Sequence, residues 1–240
     1  MLILNLGCGT KVSGRCINID WSPYLRIRKM PGSMLWARFV IGASRMERFR
    51  QLPGSIMVLD LRKPLPFAEG SVDAVCHSHF LEQIDRASLM PFLAEVRRVL
   101  RPDGVHRIVV PDWEDKVHRY LQSLDQSVQG LRSGTVHDEE VSALIEHFTR
   151  TEAHGTSVQG RFRRTLERIV LGNAARRGET YRWAYDRVNL PALLTEAGFR
   201  RVQLRSFDSS DIADWNEIGL DRTSEGAEYR PRSLYIEAVR

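Results

Sequence analysis

The feature that most constrains this chain is a glycine turn between two short apolar runs. Residues 2–6 (LILNL) lead directly into Gly-Cys-Gly at residues 7–9, and a second run, residues 16–20 (CINID), ends in Asp20. Glycine lets a backbone turn sharply and approach a ligand closely, because it has no Cβ atom. A carboxylate at the end of the neighbouring strand is suited to accept hydrogen bonds from ribose hydroxyls. The pattern predicts a site for a nucleoside-like ligand.

The spacing between the turn and the acid argues against a dinucleotide. Asp20 follows Gly9 by eleven residues, whereas a dinucleotide fingerprint places its acid about 20 residues after the glycines. Residues 10–15 leave room for one helical turn at most, so no helix N-terminus remains to bind a pyrophosphate. A dehydrogenase is therefore disfavoured, and a ligand without phosphate is favoured.

The composition predicts a single globular domain over residues 1–240. Of the 240 residues, 42% are apolar and 27% charged, which suffices for one core with insertions. No run of about 18 apolar residues predicts a membrane span, and no signal peptide is evident. The three cysteines are odd in number and lack metal-ligand spacing, which predicts a reducing, cytoplasmic location and no metal site.

Short apolar runs and helical patterns follow one another along the chain. The predicted strands are residues 2–6, 16–20, 55–61, 72–77, 105–112, 201–207 and 233–239. Helical spacing occurs in residues 86–104, where Pro102 and Gly104 should stop the helix, and in residues 187–198. This order predicts an α/β, doubly wound, Rossmann-like fold with a mostly parallel seven-stranded sheet. About 25 residues without an evident helix join the last two strands, which predicts an antiparallel hairpin.

Two segments are additional to this minimal sheet. Residues 21–54 carry seven arginines or lysines and one acid, and residues 161–182 carry seven arginines and two acids. Residues 113–182 have a polar, helical pattern and are predicted to form a lid or substrate-recognition insert. The basic segments suit an anionic partner, either nucleic acid, a phosphorylated or nucleotide-linked substrate, or a membrane surface. A solvated face explains them equally well.

The ordered motifs resemble those of a known enzyme family. The resemblance rests on "LNLGCGT", "INID", "LDLRKPLPFAEGSVDAVCHSHFLEQI" and "EVRRVLRPDGVHRIVVPD", and it resumes at "YRWAYDRVNLPALLTEAGF". These motifs are similar to the class I S-adenosylmethionine-dependent methyltransferases. More narrowly, they look like predicted methyltransferases linked to surface-polysaccharide biosynthesis. The resemblance covers residues 2–112 and 181–199.

The resemblance implies S-adenosylmethionine as the cofactor and a set of residues that bind it. Those residues are Asn5, Gly7, Cys8, Gly9, Asp20, Asp60, Leu61 and His77. The glycine turn would lie beneath the methionine part, Asp20 would hold the ribose, and Asp60 would lie near the adenine amino group. Residues 77–80 would line the floor between cofactor and acceptor. Structural alternatives stay open, namely a helix cap for Asp20 and a turn cap for Asp60.

Two positions depart from the family pattern. The carboxylate expected two residues before the first glycine is Asn5, and the third glycine is Lys11. Asn5 can form hydrogen bonds but cannot attract the cofactor's ammonium group as a charge would. These departures support an alternative in which the chain is a non-catalytic scaffold with a methyltransferase fold.

Methyl transfer requires an aligned acceptor and, for a hydroxyl acceptor, a group that removes its proton. His79 and Asp112 are the predicted catalytic residues because each follows a strand, and Tyr185 and Asp186 are further candidates for the base. Structural roles are the alternatives: a backbone-bonded histidine for His79 and a helix cap for Asp112. Trp183 and Tyr185 would stack on a sugar or base, or belong to the core.

The sequence therefore predicts a cytoplasmic, S-adenosylmethionine-dependent methyltransferase that acts on an oxygen of a saccharide or small metabolite. The alternative with a different partner is an RNA methyltransferase that uses the basic segments. It ranks lower, because no recognised RNA-binding module and no N-P-P-Y-like motif is present.

Overall fold

The computed structural model describes residues 1–33, 35, 37, 43–149 and 181–240. Its strands are β1 (Ile3–Leu6), β2 (Ile17–Asp20), β3 (Met57–Val58), β4 (Val72–Ser78), β5 (Leu100–Pro111), β6 (Arg200–Arg205) and β7 (Ser233–Val239). Its helices are α1 (Pro23–Arg28), α2 (Ala43–Gln51), α3 (Arg86–Val99), α4 (Trp113–Val128), α5 (Gly134–Thr149), α6 (Asn189–Glu196) and α7 (Trp215–Ile218). A 3-10 turn, Leu81–Gln83, follows β4.

The seven strands form one sheet in the order β3-β2-β1-β4-β5-β7-β6. Strands β1 to β5 pair in parallel, and β7 lies antiparallel between β5 and β6. The order reverses between β1 and β4, and such a switch point opens a crevice at the carboxyl ends of the strands. The structure confirms the predicted doubly wound, mostly parallel sheet and its terminal antiparallel pair.

The central strands are buried on both faces, which explains why they read as continuous apolar runs. Leu4 and Leu6 of β1 point to the larger core cluster, where α3 and α6 pack on the sheet. Ile3 points to the opposite face and contacts the cluster that contains Trp215 of α7. Since side chains alternate along a strand, four buried residues of β1 serve two layers of core.

Three boundaries differ from the sequence prediction. Helix α3 ends at Val99, before Pro102 and Gly104, because Leu100 already pairs with Val72 at the start of β5. Strand β3 has only two residues instead of the predicted 55–61. The connection between β6 and β7, for which no helix was expected, contains the four-residue helix α7.

The described parts of the two additional segments contain helices α1 and α2 in the first and helices α4 and α5 in the second. Helices α4 and α5 pack on each other through an ion pair between Arg119 and Glu140 at 2.9 Å and a hydrogen bond between His137 and Ser123 at 3.1 Å. The remainder of the predicted insert, including residues 161–180 of the second basic stretch, lies outside the described residues. So do residues 34, 36 and 38–42 of the first basic segment.

Candidate active site

A cleft of about 850 Å³ lies at the carboxyl ends of β1, β2, β3 and β4. Its wall includes eight residues singled out from the sequence: Asn5, Gly7, Cys8, Gly9, Asp20, Asp60, Leu61 and His79. Four separate strand ends contribute them. The sheet topology therefore brings together residues that are up to 74 positions apart in the sequence.

The glycine turn gives the cleft its floor. Gly7 and Gly9 have φ values of +62° and +53°, in the left-handed region that favours glycine. A Cβ atom on Gly7 would lie 2.6 Å from Cδ2 of Phe80, so the turn also needs glycine for close packing. Burial raises the pKa of the Cys8 thiol between them. The turn thus presents backbone, and no ionised side chain, to a ligand.

Asp20 joins the end of β2 to the glycine turn. Its Oδ2 accepts a hydrogen bond from the Gly9 N–H at 2.7 Å, and its Oδ1 accepts one from the Ser22 N–H at 2.7 Å. Each carboxylate oxygen has a second lone pair, so ribose hydroxyls still find acceptors here. Burial raises the pKa of Asp20. Ser22, and not Asp20, caps α1 by accepting the Tyr24 N–H.

Asn5 anchors the loop that follows the turn. Its Nδ2 donates to the Lys11 carbonyl at 3.0 Å and to Oδ1 of Asn18 at 3.0 Å, and Nδ2 of Asn18 donates to the Ser13 carbonyl at 2.9 Å. A carboxylate cannot donate these bonds. The departure from the family's acid at this position therefore has a structural reason.

Asp60 lies in the cleft wall with its carboxylate already paired. The Arg62 guanidinium donates to both oxygens, at 2.8 and 2.9 Å, and the Arg62 N–H donates at 3.1 Å. This pairing lowers the pKa of Asp60. The turn cap considered from the sequence is present, and the residue stays at the cleft end where the resemblance implies adenine.

His79 is held at the far side of the cleft in a strained backbone conformation. Its φ of +51° is uncommon for a residue with a side chain. Its carbonyl accepts from Nε2 of Gln83 at 2.6 Å, and its Nε2 lies 2.8 Å from Oγ of Ser233. Burial, with the charges of Arg230 and Lys116, lowers the pKa of His79 to about 3. The imidazole is therefore neutral at neutral pH.

His77, predicted to contact the cofactor, lies in the core behind the cleft. It is 1% exposed, and its Nε2 lies 3.0 Å from Nε2 of His106. The rings of Phe80 and Phe92 pack edge-on against it at 5.7 and 5.9 Å. Its side chain points to the face that α3 covers, so this placement gives no support to a direct cofactor contact.

Asp112, predicted as catalytic, is the N-cap of α4 and does not line the cleft. Its Oδ1 accepts from the Glu114 N–H at 2.9 Å and the Asp115 N–H at 3.4 Å. Asp112 therefore has the helix-capping geometry that was the structural alternative to a catalytic role.

The three remaining candidates from the sequence also make contacts that stabilise the fold. Tyr185 is buried in the larger core cluster. Asp186 accepts backbone N–H bonds from Val188 and Asn189 at the start of α6. Trp183 is 41% exposed and lies under the Arg86 guanidinium at 4.4 Å. None of the three is among the cleft-lining residues in the described part of the chain.

Glu82 is a buried acid next to the cleft that the sequence analysis did not single out. It is 1% exposed, and neither carboxylate oxygen has a hydrogen-bond partner among the described residues. Burial raises its pKa to about 8, although the charges of Arg230 and Lys116 oppose the shift. A lone acid in the apolar stretch "FLEQI" was the available signal.

The connection between β6 and β7 supplies a cleft wall that the sequence analysis also missed. Leu220, Tyr229 and Arg230 line the cleft. The Tyr229 N–H donates to the Asp221 carbonyl at 2.8 Å, and the Asp221 carboxylate pairs with the buried Arg107 at 2.8 Å. A core arginine of β5 therefore holds this wall in place.

The described residues contain no group of three or more His, Cys, Asp or Glu side chains placed to hold a metal ion. Within the same residues, no helix has the length and apolar character needed to cross a bilayer.

Comparison with known proteins gives one family match and one curated relative. Residues 4–108 match a family model described as a methyltransferase domain. The 18S rRNA (guanine(1575)-N(7))-methyltransferase of Saccharomyces cerevisiae is 25% identical over 183 residues, which cover 70% of this chain and 61% of the yeast protein. The match thus spans less than two thirds of that relative's length.

Two similar solved structures are S-adenosylmethionine-dependent methyltransferases. The protein from Archaeoglobus fulgidus has 14% identity and a TM-score of 0.43, with 100% of this chain and 86% of that chain covered. The protein from Methanosarcina mazei has 16% identity and a TM-score of 0.43, with 100% and 92% covered. The fold assignment rests on the strand order of this chain's own sheet.

The glycine turn and Asp20 fit the nucleoside and amino-acid parts of S-adenosylmethionine, since one offers close backbone approach and the other carboxylate acceptors. Together with the sheet order, they agree with the match of residues 4–108 to a methyltransferase-domain model, and S-adenosylmethionine is the cofactor expected for such a domain.

Proposed function

We propose that the protein transfers a methyl group to an oxygen atom of a small polar acceptor, either a saccharide or a small metabolite. The observation that carries this proposal is a single cleft that joins the glycine turn and Asp20 to His79. Its volume of about 850 Å³ lies near the upper end of small-ligand sites, roughly 300–1,000 Å³. That volume suits a cofactor together with a compact acceptor.

When bound, the cofactor supplies a methyl group from its sulfonium centre, and the sulfur is left as a neutral thioether. The contribution of this chain is to align the acceptor and to take up the proton that a hydroxyl group loses. Asp20, the turn at residues 7–9 and residues 60–61 would hold the cofactor at one side of the cleft. Phe80 packs against the turn and separates it from the buried residues behind.

His79 is the residue that we assign to proton uptake. Nε2 of His79 lies 2.8 Å from Oγ of Ser233. In the tautomer in which Nε2–H donates this bond, Nδ1 carries the lone pair that accepts a proton. Burial is the main cause of the low pKa of His79, and the nearby charge of Arg230 lowers it further. An acceptor with an anionic group beside Arg230 would neutralise that charge and remove this second cause, which makes the imidazole a stronger base.

The test is the variant His79→Asn, because asparagine tolerates a left-handed backbone better than most residues. We expect turnover with a hydroxyl acceptor to fall by roughly 100-fold or more, while the affinity for S-adenosylmethionine stays unchanged. The measurements are transfer of labelled methyl groups to a panel of sugars, nucleotide sugars and hydroxylated metabolites, and calorimetric titration of the cofactor. Unchanged turnover would show that His79 is not the base.

A second candidate is methylation of RNA, the activity for which the similar yeast protein is named. Cationic residues of the cleft wall, Lys63, Arg182 and Arg230, are compatible with a phosphate backbone. Guanine N7 is a hydrogen-bond acceptor without a proton, so its methylation needs no base. Transfer to RNA that survives His79→Asn and weakens steeply with salt would favour this candidate over the first.

A further inference from the structure

We propose that Lys11 binds the carboxylate of the methionine part of the cofactor. The inference rests on the family's cofactor and is independent of the acceptor proposed above. In the family pattern this position is a third glycine, so the role belongs to this chain's own residue and not to the shared motif.

The backbone of Lys11 is fixed beside the glycine turn. Its N–H donates to the Cys8 carbonyl at 2.9 Å, and its carbonyl accepts Nδ2 of Asn5 at 3.0 Å. Both partners lie in the wall of the same cleft, as Lys11 does. The side chain therefore starts from a defined point at the carboxyl end of β1.

The ammonium group of Lys11 is fixed as well, but by neutral partners. Nζ donates to the Arg222 carbonyl at 2.5 Å and lies 4.6 Å from the centre of the Tyr229 ring. An ammonium group has three donors, so it can bind a further acceptor while keeping these contacts. The position is already ordered before a ligand arrives, which reduces the entropy that binding must overcome.

Among the residues that the structure describes, Lys11 has no paired counter-ion. Asp221 is the acid whose charge acts on it, yet Oδ2 of Asp221 is bound by Arg107 at 2.8 Å and by Nε1 of Trp215 at 3.1 Å. No carboxylate in the described parts of the chain forms a salt bridge with Lys11. Lys11 is partly buried, and this burial lowers the pKa of its ammonium group. A ligand carboxylate at this point would supply the missing charge partner.

The order of the strands places Lys11 at the correct end of the cofactor. Asp60 follows β3, Asp20 ends β2, and the glycine turn follows β1, in that order across the sheet. Lys11 lies beyond the turn, in contact with the connection between β6 and β7. With adenine at Asp60 and ribose at Asp20, the amino-acid end of the cofactor extends past the turn toward Lys11.

The two departures from the family pattern act in the same direction. An acid is replaced by the neutral Asn5, and a glycine is replaced by the cationic Lys11. The amino-acid end of the cleft thereby becomes more positive. This change disfavours recognition of the ligand through its ammonium group and favours recognition through its carboxylate.

The test compares S-adenosylmethionine with decarboxylated S-adenosylmethionine, which differs by the carboxylate alone. Both ligands are titrated calorimetrically into the wild type and into Lys11→Gln, in which the amide can still donate to the Arg222 carbonyl. We expect Lys11→Gln to weaken S-adenosylmethionine about tenfold, which corresponds to about 1.4 kcal/mol. The decarboxylated ligand should change by less than about twofold, and Lys11→Arg should retain most of the affinity.

Lys63→Gln is the matched control, since Lys63 lines the same cleft beside Asp60 and is exposed. It removes one positive charge at the other end and should not distinguish the two ligands. Equal losses for both ligands in Lys11→Gln, or the same discrimination in Lys63→Gln, would overturn the proposal. If Lys11→Gln does not fold, Lys11→Met and Lys11→Arg provide the same comparison.

Discussion

Gly7 shows how one absent Cβ atom positions two parts of the site. Its φ of +62° favours glycine, and a Cβ atom added at this position would lie only 2.6 Å from Cδ2 of Phe80. Gly9 has a φ of +53° but open space around it, and Gly14 has open space without a positive φ. Comparing variants at these three glycines therefore separates the effect of backbone strain from the effect of steric overlap.

We expect Gly7→Ala to lower the free energy of unfolding most, by roughly 2–4 kcal/mol, because it combines strain with overlap. Gly9→Ala should lower it by about 1–2 kcal/mol from strain alone, and Gly14→Ala by less than about 1 kcal/mol. Denaturant unfolding of the three variants gives these values. A loss in Gly7→Ala no larger than that in Gly9→Ala would contradict the packing role of Phe80.

The burial of Glu82 predicts that the stability of the protein depends on pH. Burial raises the pKa of this residue from an ordinary value of about 4.3 to about 8. A carboxyl group with a raised pKa binds more protons in the folded state than in the unfolded state. The native state therefore loses stability as pH rises from about 4.3 to about 8, and changes no further above that.

Glu82→Gln should remove this slope, since the amide does not ionise. We expect the variant to be more stable than the wild type by roughly 2–4 kcal/mol at pH 7.5, and equal to it within about 1 kcal/mol at pH 4. Thermal and denaturant unfolding across this range measure the difference. A constant difference at every pH would mean that the pKa of Glu82 is the same in the folded and unfolded states.

At the scale of elements, the connection between β6 and β7 shows what a local pattern misses. The sequence of residues 208–232 predicts only a loop between the last two strands, and the structure adds one short helix, α7. In the structure, the buried Arg107 binds Asp221, Glu237 and two carbonyl groups, those of Ser206 and Ser209. A residue of β5, more than 100 positions away from Tyr229 and Arg230, holds the loop that carries them.

Arg107→Met should destabilise the fold by roughly 3–5 kcal/mol, because it removes the guanidinium that pairs with two buried carboxylates. Asp221 then has no ion-pair partner among the described residues, and Glu237 keeps only Arg205 at 3.2 Å. Arg101→Met is the matched control. It removes an arginine of the same strand whose ion pair with Asp73 at 2.8 Å is 56% exposed on the arginine side, and it should change stability by about 1 kcal/mol or less. Comparable losses in the two variants, measured by denaturant unfolding, would show that the Arg107 network contributes little.

The boundaries of elements depend on pairing and not on local signals alone. Pro102 and Gly104 are good stop signals, yet α3 ends at Val99 because Leu100 enters the sheet beside Val72. Strand β3 shortens to two residues at the sheet edge, where it has one neighbour only. The spacing of apolar residues predicted that these elements exist. Where they end depends on pairing with neighbouring strands, which the spacing does not show.

For the whole molecule, topology explains why most of the predicted cofactor residues lie together. Parallel strands end at the same edge of a sheet, so residues that follow β1, β2 and β3 meet in one cleft. The same rule did not predict side-chain direction. His77 and His79 are two positions apart, but His77 points into the core while His79 lines the cleft, in part through its positive φ.

The predicted lid is a further case in which whole-molecule placement mattered. Helices α4 and α5 confirm the helical pattern of residues 113–149, but no described residue of either helix lines the cleft. From the described part of the predicted insert, Tyr181 and Arg182 reach the wall. The lid role of residues 150–180 stays a prediction, since they lie outside the described residues.

The sequence by itself determined the fold class, the positions of the glycine turn and of Asp20 at strand ends, and the succession of the strands along the chain. These follow from local chemistry, since apolar periodicity, positive φ at glycine and the length of a connection act over a few residues. The tertiary structure alone decided that Asp112 caps a helix, that Glu82 is buried, and that Lys11 and Tyr229 meet at the cleft. Burial, charge pairing and close packing depend on contacts between distant segments, which no short stretch of sequence contains.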